Sequence, residues 1–291
     1  MSKTIYEKEN PTEEELLTMH WPTEAELPCN EDNFVRNYHE SPQSSLITDC
    51  LSPLLQQRHP NGDFSVGHDV GIYWRLPREG EVPQRGAICP DWFYVPGVSQ
   101  MVEGERRMKR SYVMWYEVIS PLIVLEFVSG NGSEERDYTA HKGKFWIYEQ
   151  AVKAVFYGIA EINPTKFELY HLVDGRYQLV QANERGHFPI ETLGIEFGIW
   201  SGVYRTYHLD WLRVWDLQGN LLPTGDELAL EQRQRAEEER QRAAEERQRA
   251  EEERQRAEEE RQRAEKAEDQ VKILAEKLEK LRAMGIDVDG I

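Results

Sequence analysis

Cysteine is scarce: Cys29, Cys50 and Cys89 are the only three in 291 residues, far apart and never in C-x-x-C spacing. That excludes a disulfide framework or zinc knuckle and fits a reducing compartment. Long apolar runs are missing too. The longest, Leu122–Leu125, is far too short to span a bilayer. The opening residues, MSKTIYEKENPTEEELL, carry acids and a proline where a signal peptide needs an apolar stretch. The expected location is therefore cytoplasmic, with no membrane contact. Positive charge is in deficit as well: 35 Lys and Arg face 53 Asp and Glu, a formal net charge of -18. A surface of that sign repels polyanions at long range. Binding of one would need a local site, with metal ions offsetting the charge.

Aromatic residues are plentiful but stop abruptly. All eight tryptophans precede Thr224, and beyond it the chain is almost entirely Glu, Arg, Gln and Ala. Pro223, Thr224 and Gly225 punctuate the change. Residues 226–291 hold 15 basic and 21 acidic side chains, which leaves a net charge of -12 on the aromatic part. Three segments are expected: an N-terminal extension over 1–40, one folded domain over 41–223, and a charged helix over 227–284.

Near the start, Pro11-Thr12-Glu13-Glu14-Glu15 has the form of a capping box opening a short helix. Leu46, Leu51, Leu54 and Leu55 suggest a second helix ending before His59-Pro60-Asn61-Gly62. Phe64–Leu76 reads as one bent strand, Gly86–Val95 contains another, and Ser111–Glu117 is extended or helical. Leu122–Val128 (LIVLEFV) is nearly continuous in apolar residues, as expected of a central strand covered on both faces. After Gly130-Asn131-Gly132, Ser133 can cap a helix running through Lys144–Gln150. Lys166–Val173, an Asp174-Gly175 turn and Arg176–Gln181 predict a hairpin. Gly194–Asp216 is aromatic and β-like. The order predicts an α/β fold, a mixed sheet flanked by helices, followed by one long helix.

Three residues of the middle region carry chemistry. Asp91 follows Pro90 in the strand-like AICPDWFYV; Glu126 interrupts the apolar strand; Lys144 lies on the helix after it. A lone charged acid in a central strand costs several kcal/mol to bury, on the order of what a broken buried pair costs, so it needs a partner. Two carboxylates from neighbouring strands suit Mg²⁺ or Mn²⁺, and a nearby lysine can orient an attacking water or stabilise phosphate charge. Glu126 could equally form a structural ion pair with Lys144 or an arginine. On an ideal helix Asp137, His141, Lys144 and Tyr148, spaced by four, three and four, share one face. Arg106, Arg107, Lys109 and Arg110 form the densest basic cluster of the folded part, a candidate phosphate contact or a solvated hairpin tip. Trp74, Trp92, Trp115 and Trp146 are expected in the core rather than as base-stacking platforms.

The order Pro90-Asp91, then Glu126-Phe127-Val128-Ser129, then Arg136-Asp137 and Lys144 with Tyr148 and Glu149 resembles the PD-(D/E)XK nuclease superfamily. Within it, the likeness is to the Uma-two (restriction-endonuclease-like) family. It covers roughly residues 40 to 182, and such proteins often carry a charged helical tail. Two positions depart from the plainest superfamily pattern: Val128 stands where many members keep lysine, and Ser129-Gly130 where Ser-Pro is common. The resemblance implies a restriction-endonuclease-like fold and hydrolysis of DNA phosphodiester bonds with a divalent metal. Asp91 and Glu126 would bind Mg²⁺ or Mn²⁺, Lys144 would assist the attacking water, and Tyr148, His141 and Asp137 would support them. The rival reading is a catalytically silent nuclease fold acting as a binding or assembly module through its tail, and the acidic balance speaks for it.

From Arg233 to Arg263 the tail repeats a seven-residue unit, ERQRAEE with small variations. Glu238 and Arg242, Glu245 and Arg249, Glu252 and Arg256, and Glu259 and Arg263 stand four apart, acid first, each pair worth about 0.2–0.5 kcal/mol to a helix. One alanine per heptad is a poor seam. Further on, Ala264, Ala267, Val271, Leu274, Leu278 and Leu281 follow a 3-4-3-4-3 spacing, an a/d stripe, before Gly285 stops the helix. The stripe predicts homo-oligomerisation through a coiled coil. Light scattering on the full chain and on a chain cut after Gln270 is expected to show fewer subunits for the shorter one; equal numbers would remove the tail as an oligomerisation device.

Overall fold

The computed structural model describes residues 38–76, 83–128, 130–162 and 165–284. The capping box at Pro11–Glu15, nearly all of the 1–40 extension, Cys29, Ser129 and the helix stop at Gly285 lie outside the described residues. Two compact units divide the chain, residues 1–225 and 226–291. Among the described residues no helix is long and apolar enough to cross a membrane.

The first unit opens with α1 (Glu40–Arg58), followed by β1 (Phe64–Gly67), β2 (Ile72–Tyr73), β3 (Ala87–Ile88) and β4 (Trp92–Pro96). Then come β5 (Tyr112–Val113), the one-turn α2 (Met114–Glu117) and β6 (Ile123–Val128). A short α3 (Lys144–Trp146) runs into a π-helical turn (Ile147–Val152), ahead of β7 (Phe156–Ile162), β8 (Thr165–Val173) and β9 (Arg176–Leu179). The unit closes with β10 (Phe188–Ile190), β11 (Ile195–Tyr204) and β12 (Tyr207–Asp216). The main sheet runs β1-β4-β6-β7-β8-β9; β10-β11-β12 and β3-β2-β5 form two smaller sheets. Only the β6–β7 pair is parallel in the main sheet, so it is mixed.

Ile123–Val128 of the apolar run becomes β6, buried along its whole length between β4 and β7. Side chains alternate across a strand, and here the alternation sorts them into two cores. Ile123, Leu125 and Phe127 point to one side with Trp92 and Tyr94 of β4, Phe156 and Ala160 of β7, Leu46, Ile47 and Leu51 of α1, and Ile195, Phe197 and Trp211 of the β10–β12 sheet. Val124 and Val128 point to the other, with Phe93, Val95, Tyr157 and Ile159, beneath Ile147, Tyr148 and Val152 of the π turn. Gln43 fastens α1 to β12: its amide donates to the Leu212 carbonyl (2.8 Å) and accepts from the Leu212 N–H (3.0 Å).

The 166–181 hairpin forms as β8–β9, with Val173 paired to Arg176. Asp174 and Gly175 both hold positive φ (50° and 76°), as a two-residue type I′ turn requires. Two other expectations are corrected. Phe64–Leu76 is two strands in different sheets, because Asp69 turns left-handed at φ 52° between them. The helix expected from Ser133 starts only at Lys144. Gly132 and His141 have φ of 68° and 63°, which no right-handed helix continues through. The Asp137 carboxylate meanwhile bonds the Thr139 N–H (2.8 Å) and hydroxyl (2.6 Å), a local turn that competes with helix.

In the second unit α4 (Gly225–Ala283) has 59 residues and none of them buried. At about 1.5 Å per residue it is on the order of 90 Å long. Val271, Leu274, Leu278 and Leu281 are exposed along it.

Gly158 of β7 has no room for a side chain: a Cβ there would lie 2.5 Å from Leu125 Cδ2 and 2.9 Å from Phe167 Cε2. Gly158→Ala is expected to destabilise the domain by about 1–3 kcal/mol in urea denaturation. Gly130→Ala, in open space, is expected to stay within about 0.5 kcal/mol.

Candidate active site

The two acids reach one place because of strand register. β4 and β6 pair antiparallel with Trp92 opposite Leu125, so one further step brings Asp91 opposite Glu126. There the backbone ladder ends and the Asp91 side chain replaces it: Oδ2 accepts the Phe127 N–H at 2.6 Å. Alternation sets the face. Asp91 lies two residues before Phe93, and Glu126 lies between Val124 and Val128, so both carboxylates belong to the side covered by α3 and the π turn. The Ser44 hydroxyl, on α1, donates to the Asp91 carbonyl (3.2 Å) and holds the strand entry.

Glu126 is 1 % exposed and answers its burial with two donors. Lys144 Nζ lies 3.1 Å from Oε2 and the Tyr148 hydroxyl donates to Oε1 at 2.5 Å. Lys144 also reaches Glu135 Oε1 at 3.4 Å, and the Tyr157 hydroxyl donates to the Glu135 carbonyl at 3.0 Å. Lys144 thus spans two largely buried acids. Removing one partner of such a cluster strands the other, at a cost of about 3–5 kcal/mol.

The charges bias each other. Burial pushes the Asp91 carboxyl up to about 7; the Phe127 N–H opposes that, Glu40 adds to it, Lys144 opposes it and Asp69 adds to it. Burial, then the Glu126 charge, holds the Tyr148 and Tyr157 hydroxyls well above the ordinary phenol range. Tyr148 therefore stays protonated and keeps donating to Glu126.

Whether these residues suit a divalent cation follows from their donor chemistry. Both acids offer hard oxygen, and Mg²⁺ is commonly held by one or two carboxylates with water filling the other positions. An ionised carboxylate has about four acceptor positions, and on Glu126 one oxygen faces Lys144 and the other Tyr148. Among the described residues Asp91 Oδ1 accepts no hydrogen bond, and no group of three or more His, Cys, Asp or Glu side chains is arranged to hold a metal. The pair fits one hydrated hard cation rather than an all-protein cage.

Of the residues singled out from the sequence, Asp91, Glu126, Lys144 and Tyr148 gather around this point. Asp137 and His141 do not share their face, because the segment before Lys144 is not helical. Asp137 is partly exposed and bonded to Thr139, while its carbonyl accepts the Phe145 N–H (3.1 Å) at the start of α3. His141 is exposed, its ring 4.3 Å from that of Trp146. Arg136 works structurally, clamping Glu161, Glu168 (3.1 Å) and the Gly132 carbonyl (3.0 Å). Glu149 joins the π turn to β9, accepting the Tyr177 N–H at 2.7 Å. Arg106, Arg107, Lys109 and Arg110 sit in a loop, where Arg107 pairs with Glu105 and Lys109 with Glu117 (2.6 Å). Sequence reasoning missed Glu135 and Tyr157 as partners and Glu40 and Asp69 as neighbours. In sequence Glu135 looks like any acid in the first turn of a helix, and only the fold shows that Lys144 holds it.

A family model described as "Uma2: Putative restriction endonuclease" matches residues 31–208, more than half the chain. The chain belongs to that family. The Uma2 match spans every element that builds the carboxylate–lysine cluster, from α1 through β9. A solved structure from Anabaena variabilis, titled as a "putative nuclease belonging to DUF820", aligns with 55 % of this chain and 75 % of its own, at 9 % identity and a TM-score of 0.36. No curated protein matches this Uma2 chain.

The raised Asp91 group has a consequence for stability. Unfolded, it titrates near 3.9; folded, near 7. Between those values the folded chain binds a proton that the unfolded chain releases, so stability is present in full below about pH 4 and declines as pH rises through about 7. Asp91→Asn cannot ionise and is expected to escape that decline. Urea denaturation in EDTA at pH 5 and pH 8 should show the wild type losing on the order of 2–4 kcal/mol relative to the variant.

Proposed function

We propose that this Uma2 chain hydrolyses phosphodiester bonds in DNA at the Asp91–Glu126–Lys144 cluster, as an endonuclease dependent on Mg²⁺ or Mn²⁺. The observation that carries the reading is the convergence of two buried carboxylates from adjacent strands on one face, with the Lys144 amine 3.1 Å from the second. Membership of a nuclease family supports it.

Asp91 and Glu126 would hold the cation, which when bound polarises a phosphoryl oxygen and lowers the pKa of water. The protein's own groups do the rest. The Phe127 N–H fixes the Asp91 carboxylate, and Tyr148 fixes Glu126. Lys144, steadied by Glu135, presents a positive charge where phosphate charge builds and can orient the attacking water. Self-association through the 264–281 stripe of α4 belongs to the same proposal, joining such domains into a homo-oligomer.

One observation favours the rival reading: the aromatic part carries -12 and Lys144 already neutralises Glu126, so the cluster is satisfied as a structural ion pair. Incubation of plasmid and single-stranded DNA with Mg²⁺, Mn²⁺ or EDTA separates the two. Cleavage is expected with metal only, falling by about 10²–10⁴-fold in Asp91→Ala and in Lys144→Met. Intact DNA in every condition, with no heat of Mg²⁺ or Mn²⁺ binding, would leave the fold standing and replace the enzyme by a binding or assembly module.

A further inference from the structure

A second surface of the first unit is not used by the cleavage reading. β5 pairs with β2 and runs straight into α2, which carries Trp115 and Tyr116. Tryptophan was expected in the core, yet Trp115 is 38 % exposed and Tyr116 79 %. Tyr73, on β2, meets Trp115 edge-on, their ring centroids 6.4 Å apart, and Trp115 meets Tyr116 at the same separation. The turn behind them is tightly specified. Val118 has φ 60°, costly for a β-branched residue, with its N–H on the Met114 carbonyl (3.0 Å), and the Tyr112 hydroxyl donates to the Ile119 carbonyl (2.6 Å). Two exposed rings are thus held on a well-specified turn, with the half-buried Tyr73 of β2 packed edge-on against the first.

The second observation is charge. The loop before β5 closes through a Met101–Met108 bridge and the Lys109 N–H on the Gln100 carbonyl (2.8 Å), and it bears Arg106, Arg107, Lys109 and Arg110. Lys109 Nζ bonds Glu117 Oε1 at 2.6 Å, and Glu117 follows Tyr116 directly. This ion pair fastens the cationic loop to the aromatic turn. Arg107 is spent on Glu105. Arg106 and Arg110 are exposed and enter no ion pair or hydrogen bond among the described residues. Two such guanidinium groups, on a loop tied by Lys109 and Glu117 to the turn that carries the exposed rings, are conspicuous in a unit whose net charge is strongly negative.

We propose that Trp115 and Tyr116, with Arg106 and Arg110, bind an unpaired stretch of nucleic acid: bases stack on the rings and phosphates meet the guanidinium groups. The proposal rests on the nuclease reading for its class of ligand and adds which form of that ligand is held. Rings and cations side by side match a single strand, which offers base faces and phosphates together. A duplex hides its base faces and offers this surface little beyond phosphate. An uncharged protein partner would use the rings but leave both guanidinium groups without counter-charge.

The test is fluorescence anisotropy of a labelled oligonucleotide, single-stranded or duplex, with the full chain in EDTA, so that absence of cleavage cannot mask binding. Tighter binding of the single strand is expected. Tyr116→Ala should weaken it roughly 5- to 100-fold while barely changing duplex binding, and Tyr116→Phe should restore it. Arg106→Ala with Arg110→Ala should lower the slope of log affinity against log salt by about 0.7 per lost phosphate contact. Undiminished single-strand binding in Tyr116→Ala, or equal loss on both ligands, would overturn the proposal. So would absence of oligonucleotide binding with self-association abolished by Tyr116→Ala, which would mark a protein contact. Binding that persists in Asp91→Ala, beside a wild type that never cleaves DNA, would refute the nuclease reading while leaving this surface in place.

Discussion

A carboxylate in the middle of the most buried strand is the constraint on which the rest of the unit turns. Glu126 has β4 on one side, β7 on the other, and a core above and below. An unpaired charge there is untenable. The chain meets the demand by laying α3 and the π turn across that face, so that Lys144 and Tyr148 both reach it. The π turn itself fits this account: its extra residue per turn places Tyr148 inward on Glu126 while Glu149 turns to β9 and Tyr177. Wide helical turns of this kind often occur at functional sites.

The neighbouring acid is treated differently. Asp91 has a single backbone donor and lies where its burial and the charges of Glu40 and Asp69 resist ionisation. Two carboxylates on one face, one well compensated and one poorly, form an asymmetric pair. The poorly compensated member is where a cation would gain most, since it would relieve the desolvation that raises Asp91.

Much of the architecture was legible because it rests on short-range pattern. LIVLEFV has the pattern of a strand buried on both faces, and Asp174-Gly175 between two alternating runs has that of a tight hairpin. The 59-residue helix was written in acid–base spacing. The errors came where backbone conformation depends on single residues. Asp69 and His141 take up positive φ, which residue type permits but does not announce, and each broke an element that periodicity had drawn as continuous. Asp137 and His141 were placed on the Lys144 face by helical arithmetic that does not apply to a segment without a helix.

What the sequence alone determined is what local chemistry and periodicity can specify: the change of composition near Thr224, the central strand and the long charged helix. Tertiary structure decided which groups meet. Register across β4 and β6 set Asp91 opposite Glu126, and strand alternation gave both the same face. The path of residues 130–143 brought Glu135 to Lys144, and the short turn after β5 carried Trp115 and Tyr116 outward. Those contacts join residues distant in the chain, and no local pattern encodes them, because burial, the energy that selects them, exists only once the strands have packed.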